Sequence, residues 1–597
     1  MIKAKDFYEN NVEKNSKKSN VLLKKINIIS WSRLIIVIAM MLIDYLLYKA
    51  DKYTSLIFNS LFFISIFIGV ALYHNIKLED KKRIDVMIDI NQKGLKRLSG
   101  EFRKSEDNGN EYLDYNHPFI SDLNIFGQNS IFQWINSTVS IGGREKLVDL
   151  LSLKENLNKN EILEKQCAIK ELGEKVEWRQ KFILEGSLKK SSDRKLEELI
   201  EWGKKKGSMN FITIIISCIF IFINFSSIFL AVVNILPVSF LLLVFMIDFI
   251  VIKFLTKDIN TDIELFNNIK NNIKEYSELL ALIQDEEFNS NYLKKLKNNL
   301  SNNDISCKIE MKKISNLLDW IGDSSYNAFY LILNILIFSD VFIMRNLALW
   351  RERNGDNIDT WLKVMNEFDA LNSIANISFD NCDWTCPSIL DSNEIYGNEI
   401  GHPLLGDIAV KNTFSLKDQQ KVALITGSNM SGKSTFLRTL GSNLVLSYIG
   451  APVNAQNFSC GIMSIYTCIT TKDNLEESIS SFYAEILRIK TLIEACKRGE
   501  KVFFLLDEIF KGTNSKDRHT GAIVLINQLI KYGGIGLVST HDLELCDLEN
   551  QDKKIINYNF REFYKNNKIH FDYKLRKGKS ETQNAIHLMK LAGIELI

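Results

Sequence analysis

The chain has 597 residues, 46% of them hydrophobic and 24% charged, with a formal net charge of +2. That length admits several domains and excludes a small single-core protein, and the near-balanced charge excludes nucleic-acid binding through bulk charge alone. Nine cysteines are scattered without paired C-x-x-C spacing; Cys382 and Cys386 have no second pair, so they read as reduced thiols and not as a zinc site.

Residues 1–25 form a charged arm, expected to be helical. Four apolar runs then suit a bilayer: 28–48 with Arg33 and Asp44, 55–73 and 211–236 without charge, and 238–255 with Asp248 and Lys253. Roughly 20 apolar residues make a spanning helix. The runs pair as two hairpins with very short connections. Buried helices of a soluble core are the alternative, but the runs leave too few polar positions for a wet face. Lysines flank both hairpins: Lys24, Lys25, Lys81 and Lys82 at the first, Lys204, Lys205, Lys253 and Lys257 at the second. By the positive-inside rule these flanks, and both termini, lie in the cytoplasm of a multi-pass protein of the cell membrane. No small-residue cleavage site follows the first run, so a removed signal peptide is not expected. A fifth run, 326–344, carries Asn327, Asn334, Ser339 and Asp340 at near-helical spacing and reads as a core helix. Asp44 and Asp248 are intramembrane acids, a functional hint by default, with no catalytic role assigned.

The rest divides by pattern. After the first hairpin (26–75) comes a helical connector (76–127) whose stretch 104–122, rich in Asn, Asp and Gly, reads as a linker. A helical core begins at 128–209, is interrupted by the second hairpin (210–256), and resumes at 257–400, with 377–399 irregular. From 401 to 597 strands and helices alternate. The expected fold class is multidomain: transmembrane helical hairpins, an all-α core domain and a C-terminal α/β P-loop ATPase domain of the ABC type.

Three motifs carry the chemistry. Gly427, Ser428, Asn429, Met430, Ser431, Gly432, Lys433, Ser434 and Thr435 read as a phosphate-binding P-loop, G-x-x-x-x-G-K-S, between the apolar run 422–425 and a helical pattern at 436–447. Backbone N–H groups and the helix N-terminus would cradle phosphates, Lys433 would neutralise the β/γ-phosphates, and Ser434 would offer its hydroxyl to Mg²⁺. A second apolar run, 502–506, ends in Asp507 and Glu508. Carboxylates at the C-terminal end of a parallel strand stand where open α/β sheets bind ligands. Asp507 suits Mg²⁺ through water, and Glu508 suits orienting and deprotonating the attacking water. A third strand, 534–539, leads into Thr540-His541-Asp542, placing His541 at the same edge as a sensor of the γ-phosphate. ATP and Mg²⁺ are the cofactors these motifs imply.

The segment from His402 onward resembles the ATPase domain of the MutS family of DNA mismatch repair proteins. Residues 426–435 differ from that family's TGPNMGGKST at Ser428 and Ser431 only, and 506–517 are similar to its MDEIGRGTSTYDG stretch, with Lys511 where Arg is usual. His402-Pro403 and the 451–456 loop match family features, and 130–144 with 166–172 resemble the start of the family's helical core. Residues 473–485 are similar to the family's DDLASGRSTFMVE signature loop, with Ser478-Ile479 replacing the usual Gly-Arg. The resemblance implies a homodimer in which Ser480 reaches the ATP of the opposite subunit, and an adenine-stacking ring at Tyr573. The family's N-terminal mismatch-reading domain and C-terminal helix-turn-helix are not expected here. Phe7-Tyr8-Glu9 echoes the family's mismatch-reading wedge, but with no domain to present it we read it as coincidence. The implied function is a membrane-anchored MutS-like ATPase that binds DNA, with doubtful mismatch specificity. The alternatives are an ATP-gated membrane scaffold for a protein partner and a transporter-like ABC ATPase; the latter needs more spans and an L-S-G-G-Q signature.

Overall fold

The computed structural model describes residues 2–188, 196–205, 211–255, 260–302, 305–322, 328–417, 419–469, 481–565 and 568–580. Two long helices, α1 (Ile2–Lys49) and α2 (Tyr53–Ser99), form an antiparallel hairpin. Each joins segments that the sequence separates. The charged arm and the first apolar run are one helix of 48 residues, about 70 Å long at 1.5 Å per residue. The second run and its connector are another helix, ended by Gly100 in the left-handed conformation. Apolar side chains face outward along the upper half, while Asp44 accepts hydrogen bonds from Asn59 and Ser60 across the pair.

The foot of this hairpin is docked. Tyr8 and Arg97 both bond the Asp380 carboxylate, each at 2.8 Å, and Phe7 packs edge-on against Phe379. Burial and the Asp380 charge push the Tyr8 hydroxyl well above its usual range. Phe7-Tyr8 is thus a docking contact between the hairpin and the core.

The stretch 104–122 is not a free linker. Phe119 and Ile120 are buried in the core. Asp122 accepts from Thr467, the Ile469 backbone and Arg488 of the C-terminal domain. Its Asn, Asp and Gly residues serve tight turns over that surface.

The helical core follows: α3 (Ile131–Ile135), α4 (Ile141–Leu151), α5 (Lys159–Glu174), α6 (Val176–Ser187) and α7 (Leu196–Lys204). Then come α8 (Phe211–Val232) and α9 (Val238–Leu255), and after them α10 (Asn260–Asp285), α11 (Asn291–Asn298), a two-residue ladder of β1 (Ser301–Asn302) with β2 (Ile305–Ser306), α12 (Cys307–Gly322), α13 (Ala328–Ile337) and α14 (Ser339–Asp380). Among the described residues four helices, α1, α2, α8 and α9, are long and apolar enough to cross a membrane. The fifth apolar run differs from its core-helix expectation. It breaks at Phe338, whose φ is +53°, and its first part, α13, packs on α8 and α9. Asn224 of α8 donates to the Ile335 carbonyl at 3.1 Å. Only from about Ile343 does the chain enter the main core.

Helix α14 is the spine. Its Asp369 accepts from the Val139 and Ser140 amides and the Ser140 hydroxyl, which fixes the start of α4, where Ser140 caps Gly143 N–H. A single hydrophobic core continues from here into the C-terminal domain.

That domain starts before 401, because the supposedly irregular stretch holds two strands. In order it has β3 (Ser388–Leu390), β4 (Ile395–Ile400), β5 (Asn412–Leu416), β6 (Val422–Thr426), α15 (Lys433–Tyr448), β7 (Asn457–Gly461), β8 (Ser464–Cys468), α16 (Ser481–Lys497), β9 (Val502–Asp507), α17 (Ser515–Lys531), β10 (Ile535–Thr540), α18 (Leu548–Gln551), β11 (Ile555–Lys565) and β12 (Lys568–Lys577). One sheet runs β12-β11-β6-β10-β9-β8, parallel except for the β11–β12 hairpin; a smaller sheet runs β3-β7-β4-β5. Strand β6 is buried at every position, and burying each of its larger apolar side chains is worth roughly 2 kcal/mol. The register aligns Thr426 with Thr540 and Asp507 with Ser539. The three strand ends therefore meet at one sheet edge.

Candidate functional site

The loop 427–432 leaves β6 and enters α15. Its glycines are required by geometry. Gly427 and Gly432 have φ of +150° and +104°, and a Cβ on Gly427 would lie 2.7 Å from Ser431 Oγ and 2.9 Å from the Phe560 carbonyl. Asn429 and Met430 are exposed at the loop tip, with Met430 also at positive φ. Ser431 is buried, and its hydroxyl has no protein partner. Ser428 donates to Glu562 at 2.9 Å. Ser434 is half-buried and Thr435 exposed in the first turn of α15.

Lys433 is buried beneath this loop. Its Nζ donates to the carbonyls of Gly427 and Ser428, both at 3.0 Å. Burial pushes its pKa down, opposed by the charges of Glu508 and Asp507. From β9, Asp507 accepts a hydrogen bond from Ser539 Oγ.

Glu508 has φ of +47°, outside the strand conformation, and its amide donates to the Ser539 carbonyl. The turn aims its carboxylate at basic groups. His541 Nε2 stands 2.7 Å from Oε1, Lys511 Nζ 2.8 Å from Oε2, and Lys433 Nζ 3.8 Å from Oε1. The His541 hydrogen bond is the chief cause that draws the Glu508 carboxyl down to about 2, aided by Lys511 and opposed by burial. At 2.7 Å from a carboxylate, Nε2 carries the proton. Its 3.2 Å approach to Lys433 Nζ is then a contact of two donors.

The structure brings Lys433, Asp507, Glu508 and His541 together, as the motifs imply. Tyr573 also belongs to this edge: a Cβ on Gly432 would meet its ring at 3.2 Å. Ser480 lies outside the described residues. Sequence reasoning assigned no role to Ser539, Glu562 or Glu485, which accepts from the Phe510 amide and steadies the turn after Glu508. Ser539 stood directly before Thr540-His541 and Glu485 at the end of the 473–485 stretch, whereas Glu562 stood near no motif. The donor set fits a phosphate chain with a hard divalent cation. A buried lysine and an unpartnered buried hydroxyl line the loop, and the hydroxyl of Ser434 and carboxylate of Asp507 are oxygen ligands of the type Mg²⁺ prefers.

Residues 423–596 match the family model of MutS domain V. The C-terminal domain of this chain is similar to that of MutS-family proteins. Relatives named "DNA mismatch repair protein MutS" include one from Persephonella marina (strain DSM 14350 / EX-H1), 30% identical over 246 residues, which cover 40% of this chain and 28% of the relative. Another, from Geobacillus sp. (strain WCH70), is 30% identical over 237 residues, 38% of this chain and 27% of the relative. A third, from Bacillus mycoides (strain KBAB4), is 32% identical over 237 residues, 38% of this chain and 26% of the relative. The similarity to MutS thus spans little over a quarter of these relatives' length.

Proposed function

We propose that this chain is a membrane-anchored ATPase whose C-terminal domain binds and hydrolyses Mg-ATP. The observation that supports it most is the meeting of Lys433, Glu508 and His541 at the common end of β6, β9 and β10. In this reading the loop amides and Lys433 bind the phosphates, Lys433 exchanging two carbonyl contacts for phosphate oxygens. Bound Mg²⁺, held through Ser434 and Asp507, supplies charge neutralisation on the transferring phosphoryl group. A carboxylate held near 2 is a weak proton acceptor, so Glu508 acts first by orienting water, and His541 holds it in place. Tyr573, beside Gly432, is positioned to stack on the base.

The two helical hairpins with lysine-rich flanks support a membrane location with the nucleotide site in the cytoplasm. Likeness to the family supports a homodimer completed through Ser480, and the relatives' name supports DNA as a partner. Lys433→Ala tests the core of the proposal: nucleotide binding, read by fluorescent-ATP titration of the full chain, should fall by at least a hundredfold. Unchanged affinity would refute the site.

A further inference from the structure

At the foot of the first hairpin lies a cavity of about 300 Å³, the size of a small metabolite pocket. The lower part of α2, with Tyr8 of α1, forms one wall. The opposite wall comes from α6, the segment 133–139 and Asn376 of α14. The cavity is remote from the bilayer. Tyr8 precedes the first apolar run by about twenty residues, roughly 30 Å of helix.

Two guanidinium groups line it, and one carboxylate is shared with a tyrosine between them. Asp380 Oδ2 accepts from Arg97 at 2.8 Å, and Oδ1 accepts from the Tyr8 hydroxyl at 2.8 Å. Arg179 is left with neutral acceptors: the Leu172 carbonyl at 2.7 Å, the Asn372 carbonyl at 3.3 Å and Asn376 Oδ1 at 2.7 Å. Its Nη2 has no protein acceptor, although the residue is only 2% exposed. Burial pushes its pKa down to about 10. At the rim, Lys93 and Lys104 pair with Asp89 and Glu101. Lys96 has no ion-pair partner among the described residues. A buried cation without its own counter-ion is costly. Asp107, also on the lining, pairs with Arg144, so Arg179 and Lys96 are the two cations of the lining without an ion-pair partner among the described residues.

We propose that this cavity binds a small, soluble, phosphate-bearing anion, with Arg179 Nη2 and Lys96 as its anion contacts. A phosphate monoester carries close to two negative charges near neutral pH, which offsets both cations. Arg179 belongs to the MutS-like core and Lys96 to the membrane hairpin, so the ligand would tie the two together. The site is independent of the nucleotide site.

Calorimetric titration tests this with the full chain in neutral-lipid nanodiscs, using inorganic phosphate and glycerol phosphate as probes. The Lys433→Ala background silences the proposed nucleotide site. One saturable site per chain is expected, weakened at least tenfold by Lys96→Glu, whose exposed side chain leaves folding intact. Arg179→Lys should retain more affinity than Arg179→Gln. Absence of saturable binding overturns the proposal, as does equal affinity in Lys96→Glu. Binding only while Lys433 is intact would place the phosphate in the nucleotide site, overturning this proposal and not that one. Binding that requires anionic lipid would overturn the soluble-ligand assignment.

Discussion

Polar groups turn inward in both the first hairpin and the helical core, but under opposite rules. In the hairpin the apolar side chains point outward, Phe58 being 74% exposed, while Asp44 is turned inward to Asn59 and Ser60. In the core the apolar side chains are inside, and Asp380 is buried among them only because Tyr8 and Arg97 satisfy it. The difference teaches that the surroundings decide the cost of losing a partner. In a bilayer an unpaired polar group finds other partners, which keeps measured values small. In a packed core a stranded charge has no such escape.

The largest effect that would break this comparison is at Asp380. Asp380→Ala strips Arg97 of its carboxylate partner and Arg179 of a nearby negative charge, and should cost about 3–5 kcal/mol. Hydrogen exchange should show the foot of the hairpin released while β6 stays protected. A loss under 1 kcal/mol would contradict the docking account.

Next comes His402, buried beside the Arg438 charge, with its pKa pushed down to about 4. Its Nδ1 accepts the Leu404 amide at 3.2 Å, so the ring is held neutral. The unfolded state binds the extra proton, so stability is complete above about pH 6.5 and falls as pH drops toward 4. About 3 kcal/mol should be lost over that window, and His402→Gln should flatten that part of a denaturation-versus-pH profile. The smallest effect is Asp44→Leu, which should change hairpin stability by about 1 kcal/mol or less in a detergent unfolding assay. A loss as large as that of Asp380→Ala would erase the distinction between the two regions.

The edge that carries Lys433, Glu508 and His541 was legible because its signals are local. Apolar runs at 422–425, 502–506 and 534–539 each end in the residue types that a sheet edge presents, and the structure aligns all three. The hairpin helices were legible as apolar runs but not as continuous rods, since the pattern changes from apolar to charged along each helix while the backbone helix does not. The packing of 104–122 was hidden because its partners, Thr467 and Arg488, lie more than three hundred residues away. Distance hid Tyr8 in the same way, its role depending on Asp380. The run at 326–344 misled because polar spacing cannot say whether the dry side faces the main core or another apolar helix.

Glu508→Gln gives the most direct measurement of the central claim, that this edge hydrolyses ATP. Under single-turnover conditions with Mg-ATP, the variant should keep near wild-type ATP affinity while the hydrolysis rate falls at least a hundredfold, because the neutral amide has one acceptor oxygen and cannot both accept from His541 and orient water as a carboxylate does. Hydrolysis at the wild-type rate, with ATP bound, would contradict the account.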